Sequence, residues 1–79
     1  KQNYTDVLRY FTALVQLLVR AGSLRGTGDA MVTAAQLSFP ISVWINLCDR
    51  EPEREDEVFS LIERHIRQFF AVYAPEAHA

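Results

Sequence analysis

The first apolar stretch of the chain covers most of the girth of a predicted helix. After its first turn, the segment 4–21 leaves one narrow polar stripe whose members are three or four positions apart: Arg9, Thr12, Gln16 and Arg20. A surface helix of a small protein needs only one apolar stripe. A helix that is apolar around most of its circumference requires burial on two sides. In so short a chain, we expect another protein chain to cover the second side.

Apolar periodicity and helix-ending residues predict three further helices. We expect the second over about 29–39, with Thr27 or Asp29 as its N-cap, and a short third one over 40–49. Pro40 separates the two in this prediction, because proline removes a backbone donor and its ring clashes with the preceding turn. The fourth is expected over about 52–74, where a proline and several acidic residues precede a broad apolar band.

These elements predict an all-α fold, a small four-helix bundle-like domain that takes up residues 1–79 as one unit. The first helix spans about 4–21 and is followed by Gly22, which suits the C′ position of a helix. Short connections favour antiparallel neighbours. The first and fourth helices are the longest, so we expect them to form the main packed pair.

Composition limits the ways in which so small a domain can be stabilised. The chain has 79 residues, of which 49% are hydrophobic and 23% are charged, as in a folded globular protein. A domain of this size buries only about 60% of its unfolded surface and is marginal without a disulfide, a metal or a partner. Cys48 is the only cysteine and no Cys/His set has zinc spacing, so a partner is the support that remains.

Residues suited to catalysis are few, and we predict that the protein is not an enzyme and holds neither a metal nor a cofactor. The histidines are His65, expected on the surface of the last helix, and His78, near the end of the sequence. Cys48 lies among apolar residues, where a thiol usually behaves as a small unactivated hydrophobe. The acidic run 49–57 lacks the glycine of a calcium loop, so we interpret it as a solvated helix start.

Residues 33–47 resemble the helix-turn-helix of DNA-binding proteins. In this resemblance 38–40 forms the turn and 42–44 opens the recognition helix, which implies a DNA-binding transcriptional regulator. The segment that would read DNA, 41–48, contains no Lys or Arg, and the net charge of the chain is −2. DNA recognition draws on cationic contacts to phosphates and bases. DNA binding is therefore an alternative, and we expect no nucleic-acid partner.

Two further alternatives stay open. An apolar helical bundle can hold a small molecule or an acyl chain, here between the first, third and fourth predicted helices. The chain can also be a subunit of a larger helical enzyme, with the chemistry completed by other chains.

The leading hypothesis is a small non-enzymatic protein of bacterial or phage type that acts as a regulator, adaptor or inhibitor by binding another protein. Aromatic residues are favoured at interface centres, and two-fold dimers are the commonest oligomers. We therefore expect an unidentified protein partner and a homodimer. The residues predicted to bind a partner are Tyr10, Phe11, Leu14, Leu17, Leu18, Trp44 and Phe70.

The expected location is the cytoplasm. The sequence shows no secretory leader, and a lone cysteine fits a reducing compartment. Gln16 and Arg20 interrupt the apolar part of the first helix, so we predict no membrane span there.

Overall fold

The computed structural model describes residues 4–26 and 28–75, and these residues form three α-helices and one short 3₁₀ turn. The predicted all-α fold is confirmed, whereas the predicted number of four helices is wrong. Thr27 and His78, which lies near the end of the sequence, are outside the described residues. The elements are α1 (Tyr4–Arg20), α2 (Ala30–Arg50), the 3₁₀ turn (Pro52–Arg54) and α3 (Glu55–Val72).

The predicted break at Pro40 does not occur, and the segments 29–39 and 40–49 belong to one helix, α2. An interior proline costs a helix about 3 kcal/mol in isolation. Tertiary packing on both sides of the proline offsets this cost. Leu37 and Ser38 are buried in the preceding turn, and Ile41, in the following turn, packs against the core.

The ends of the first two helices are capped as the sequence predicts. The Asp29 carboxylate accepts hydrogen bonds from the backbone N–H groups of Met31 and Val32, both at 3.1 Å. Gly22 has a φ of 81°, the left-handed conformation that glycine adopts without strain. Its N–H donates to the Val19 carbonyl and the next N–H donates to Leu18, the bonding pattern of a Schellman cap.

The long helix α2 lies between the other two. It contacts α1 and α3, whereas no Cα atom of α1 lies within 8 Å of one in α3. The predicted pairing of the first and last helices is therefore wrong. Each connection to α2 is short, so each neighbour in sequence folds back against α2, and the two flanks of this helix are then both occupied.

Three helices arranged in this way form a layer rather than a closed bundle. The chain measures 47 × 28 × 15 Å, and its radius of gyration is 14.1 Å. A compact domain of this length has a radius of gyration of about 12 Å. The core is correspondingly small. Its buried cluster consists of Val15, Leu24, Ala34, Leu37 and Phe69.

The loop between α1 and α2 ties the end of α3 to this core. Leu24 is buried in the cluster. The backbone N–H of Arg25 donates to the Tyr73 carbonyl at 2.8 Å, and the Arg25 guanidinium donates to the Val72 carbonyl at 3.1 Å. All three helices are thereby connected at one end of the layer.

The continuity of α2 through Pro40 predicts the effect of replacing this proline. We expect Pro40→Ala to leave the helical circular dichroism signal unchanged and to raise the free energy of unfolding by about 1 to 2 kcal/mol. The alanine restores a backbone donor to a helix that is already formed. Urea denaturation measures the change, with the exposed Asn46→Ala as the control. A lower stability of Pro40→Ala would contradict this account of α2.

Candidate protein-interaction surface

The helix α1 has a second apolar edge that its own chain does not cover. Val15 is the only buried residue among the side chains of α1 that the structure describes. A stripe beside this inner face, named the α1 stripe, contains residues at intervals of 3, 4 and 3: Val7, Tyr10, Leu14 and Leu17. Tyr10 is 67% exposed and Leu17 is 55% exposed, while Val7 and Leu14 are half-buried.

The other two helices carry similar apolar stripes. The α3 stripe consists of Phe59, Ile66 and Phe70, all exposed, and the α2 stripe consists of Val32, Phe39 and Val43, also exposed. In both stripes the intervals are 7 and 4, so the side chains share one face of their helix. Single exposed apolar residues are ordinary, whereas rows of them mark interaction sites.

The accessible area of the chain supports the same interpretation. It is 5852 Å². A compact monomer of 9.0 kDa exposes about 4,900 Å², so this chain exposes roughly 1,000 Å² in excess. The excess follows from the layered arrangement, because α1 and α3 each bury only the edge that faces α2.

The residues predicted to bind a partner divide into three groups. Tyr10, Leu17 and Phe70 are exposed on the α1 and α3 stripes, with Leu14 half-buried beside them. Phe11 and Leu18 instead pack against the core of the chain. Trp44 is half-buried, and its ring lies edge-on to His65 with the ring centres 5.4 Å apart.

Most residues of the α2 and α3 stripes were not among those predicted to bind a partner. For α3 a signal was available: once Val58 and Phe69 are taken as the inner face, helical periodicity places Phe59 and Ile66 on its flank. For α2 no such signal existed, because the false break at Pro40 separated Val32 and Phe39 from Val43.

His65 has a structural position rather than the surface position predicted for it. It is half-buried, and its Nε2 atom lies 2.9 Å from the Leu37 carbonyl oxygen. This carbonyl lies in the turn before Pro40, one residue after the Gln36 carbonyl that loses the proline's N–H. The Tyr73 hydroxyl donates to the Gln36 side-chain carboxamide in the same turn. His65 of α3 and Tyr73, which follows α3, therefore both make hydrogen bonds to the turn of α2 before Pro40.

The acidic run 49–57 is organised by Arg54. Its guanidinium donates to both carboxylate oxygens of Glu57, at 3.2 and 3.0 Å, and lies 3.5 Å from the Glu51 carboxylate. The hydrogen bonds from Arg54 and its charge lower the pKa of Glu57. Glu55, Asp56 and Glu57 occupy the first turn of α3, where negative charge is favourable. Within the described ranges, no group of three His, Cys, Asp or Glu residues could hold a metal ion.

Cys48 is half-buried near the end of α2. Desolvation raises the pKa of its thiol, and the negative charges of Glu55 and Asp49 raise it further. The His65 ring bonds the Leu37 carbonyl rather than this thiol. A thiol in this environment is a poor nucleophile at neutral pH.

One structural expectation of the alternative functions is not met. The turn of the proposed helix-turn-helix, 38–40, is helical, so residues 33–47 do not form this motif. A groove of about 340 Å³ lies between the second half of α1, the following loop and the start of α2. Its lining includes Gln16 and Arg20 as well as apolar residues.

Among the described residues, α2 is the one helix whose length and apolar composition would permit it to cross a membrane, with a mean hydropathy of 1.3. The core helix of a soluble protein and a signal sequence meet the same criterion, and 22% of the apolar window of α2 is buried. In this structure α2 lies between α1 and α3.

Comparison of the chain with protein-family models, with curated proteins and with solved structures gives no match.

The contact of His65 with α2 predicts a loss of stability when the ring is removed. We expect His65→Ala to lower the free energy of unfolding by about 1 to 2 kcal/mol, because the hydrogen bond at the Leu37 carbonyl and the ring contact with Trp44 are both lost. Urea denaturation followed by Trp44 fluorescence measures this. Arg64→Ala, an exposed neighbour, is the control, and an equal effect of the two substitutions would contradict the assigned role.

The environment of Cys48 predicts slow alkylation. The pKa of the thiol is raised, so below that pKa the folded protein holds less reactive thiolate than the unfolded chain does. We expect iodoacetamide to modify Cys48 more slowly in the native protein at pH 8 than in urea. Glu55→Gln should increase the native rate by removing a negative charge, whereas the control Glu63→Gln should not. A native rate equal to that in urea would contradict the raised pKa.

Proposed function

We propose that this protein is a small non-enzymatic interaction module that regulates, adapts or inhibits another protein by binding it through apolar helical surface. The observation that carries the proposal is the set of uncovered apolar edges on the three helices, on which Tyr10 is 67%, Val43 is 61% and Phe59 is 56% exposed. The chain leaves these edges to partners.

The amount of exposed surface is suited to a stable protein interface. A standard interface buries about 800 Å² on each partner. The chain exposes roughly 1,000 Å² more than a compact monomer of its mass does. Tyr10, Phe59 and Phe70 lie on the exposed stripes, and aromatic side chains of this kind are favoured at the centres of interfaces.

Three titratable residues that a catalytic site could have contained have structural contacts or an unreactive environment instead. His65 supports the turn before Pro40, and Arg54 is held between Glu51 and Glu57. Cys48 has a thiol whose raised pKa disfavours the reactive thiolate. These positions favour a binding role over a catalytic one.

Site-specific photocrosslinking in the native host tests the proposal. A photoreactive amino acid is placed at Val43 on the α2 stripe or at Phe59 on the α3 stripe, and at Gln16 on the polar side of α1 as the control. We expect covalent adducts with one different protein from stripe positions and none from Gln16. Mass spectrometry identifies that protein.

Binding of the identified protein is then measured with purified components. We expect Val43→Glu or Phe59→Glu to weaken binding by at least about tenfold, since a charge placed in an apolar interface costs more than 1.4 kcal/mol. The matched Gln16→Glu should have no effect. Two outcomes would overturn the proposed function: an absence of adducts with any different protein, or stripe-dependent binding of the chain to phosphatidylglycerol–phosphatidylcholine vesicles without such adducts.

A further inference from the structure

The α1 stripe has the residue spacing of a two-helix seam. Val7, Tyr10, Leu14 and Leu17 are separated by 3, 4 and 3 positions, as the apolar a and d positions of a heptad are. The flank toward the core is occupied by Phe11 and Leu18, which pack against the chain's own core. A second helix laid on the stripe would therefore extend this core instead of starting a separate one.

The opposite flank of the stripe has an acidic residue at one end and a basic residue at the other, so it can pair with an antiparallel copy of itself. Its three positions are Asp6, Ala13 and Arg20, which are seven residues apart. The first two immediately precede residues of the stripe, and Arg20 lies one helical turn after the last of them. All three are exposed. Asp6 is 4.0 Å from Arg9 within the chain, an exposed pair of low strength. Ala13 stands at the centre, where its small side chain permits close approach.

Orientation follows from this pattern. In an antiparallel pair of helices, the same flank of each helix faces the other, so pairing centred on Ala13 places Asp6 of each chain opposite Arg20 of the other. Flanking charges of this kind set the orientation of helix pairs. In a parallel pair the opposite flanks of the two helices face each other, so Asp6 and Arg20 would lie against the flank that contains Phe11 and Leu18 and would meet no opposite charge.

We propose that the occupant of the α1 stripe is the α1 stripe of a second copy of this chain, packed antiparallel about a two-fold axis that passes near Ala13. Tyr10 packs against Leu14 of the other copy, and Val7 packs against Leu17. The inference rests on the proposed function, because it assigns one part of the apolar surface and leaves the α2 and α3 stripes for a different protein.

A second copy fits this surface better than an unrelated helix does. A two-fold interface must be complementary to itself, and the row Asp6–Ala13–Arg20 reverses its charge about its own centre. An unrelated partner places no such requirement on the chain.

Sedimentation equilibrium of the purified chain across the micromolar range tests the dimer. We expect a monomer–dimer equilibrium that Leu17→Glu shifts to monomer and that the matched Gln16→Glu leaves unchanged. Circular dichroism confirms that both variants fold. A monomer at all concentrations would overturn the inference, and stripe-dependent adducts with a different protein would still support the proposed function.

Charge reversal at the exposed flank tests the orientation without touching the core. The two-fold axis generates two contacts between position 6 of one copy and position 20 of the other. Asp6→Arg or Arg20→Asp places like charges in both contacts, so each should weaken dimerisation by about tenfold or more. The double variant D6R/R20D restores both attractive pairs, and we expect its dimerisation to return to within about threefold of the starting protein. Single reversals without effect would overturn the antiparallel arrangement.

Chemical crosslinking tests independently where the two-fold axis crosses the paired helices. In a Cys48→Ser background, Ala13→Cys should be joined to its symmetry mate by a short bis-maleimide, because position 13 lies beside the axis. Asp6→Cys should not be joined, since the two copies of position 6 lie at opposite ends of the paired helices. Efficient crosslinking at position 6 and none at position 13 would contradict the proposal.

Discussion

The packing of α2 between its two neighbours determines how much of this chain can be buried. Ala34, Thr33 and Ser38 are almost completely inaccessible, and their small side chains allow a neighbouring backbone to approach α2 closely. Each of the other helices then has only one edge in contact with the rest of the chain. Because α1 and α3 do not meet, their second apolar edges stay in solvent. The exposed surface is a direct result of the topology.

The position of α3 along α2 depends on polar contacts made beside the proline. His65 reaches the Leu37 carbonyl, and Tyr73 reaches the Gln36 carboxamide, in the turn before Pro40. Apolar packing alone specifies the position of one helix along another weakly, whereas hydrogen bonds to defined atoms specify it strongly. The first of these contacts gives His65 a structural role.

Local chemistry predicted the helix boundaries well. Gly22 ends α1 and Asp29 begins α2 as expected, because each acts through backbone groups only a few residues away. The prediction at Pro40 was wrong because the energy that keeps α2 continuous comes from residues distant in sequence. The pairing of the first and last helices was wrong for a related reason, since short connections favoured sequential neighbours over the two longest predicted helices.

The candidate surface was predicted only in part. Tyr10, Leu17 and Phe70 lie off the main apolar seam of their helices, and the structure leaves them exposed. Phe11 and Leu18 face the core. The sequence of α1 contains two interleaved apolar seams of similar quality, and periodicity cannot decide which of them faces inward.

The contact of Arg25 with the end of α3 has a consequence for biosynthesis. The hydrogen bond from its guanidinium to the Val72 carbonyl spans 47 residues, so it cannot form until the end of α3 has left the ribosome. Until then the nascent hairpin of α1 and α2 lacks its contacts with α3, and its apolar side chains are accessible to chaperones.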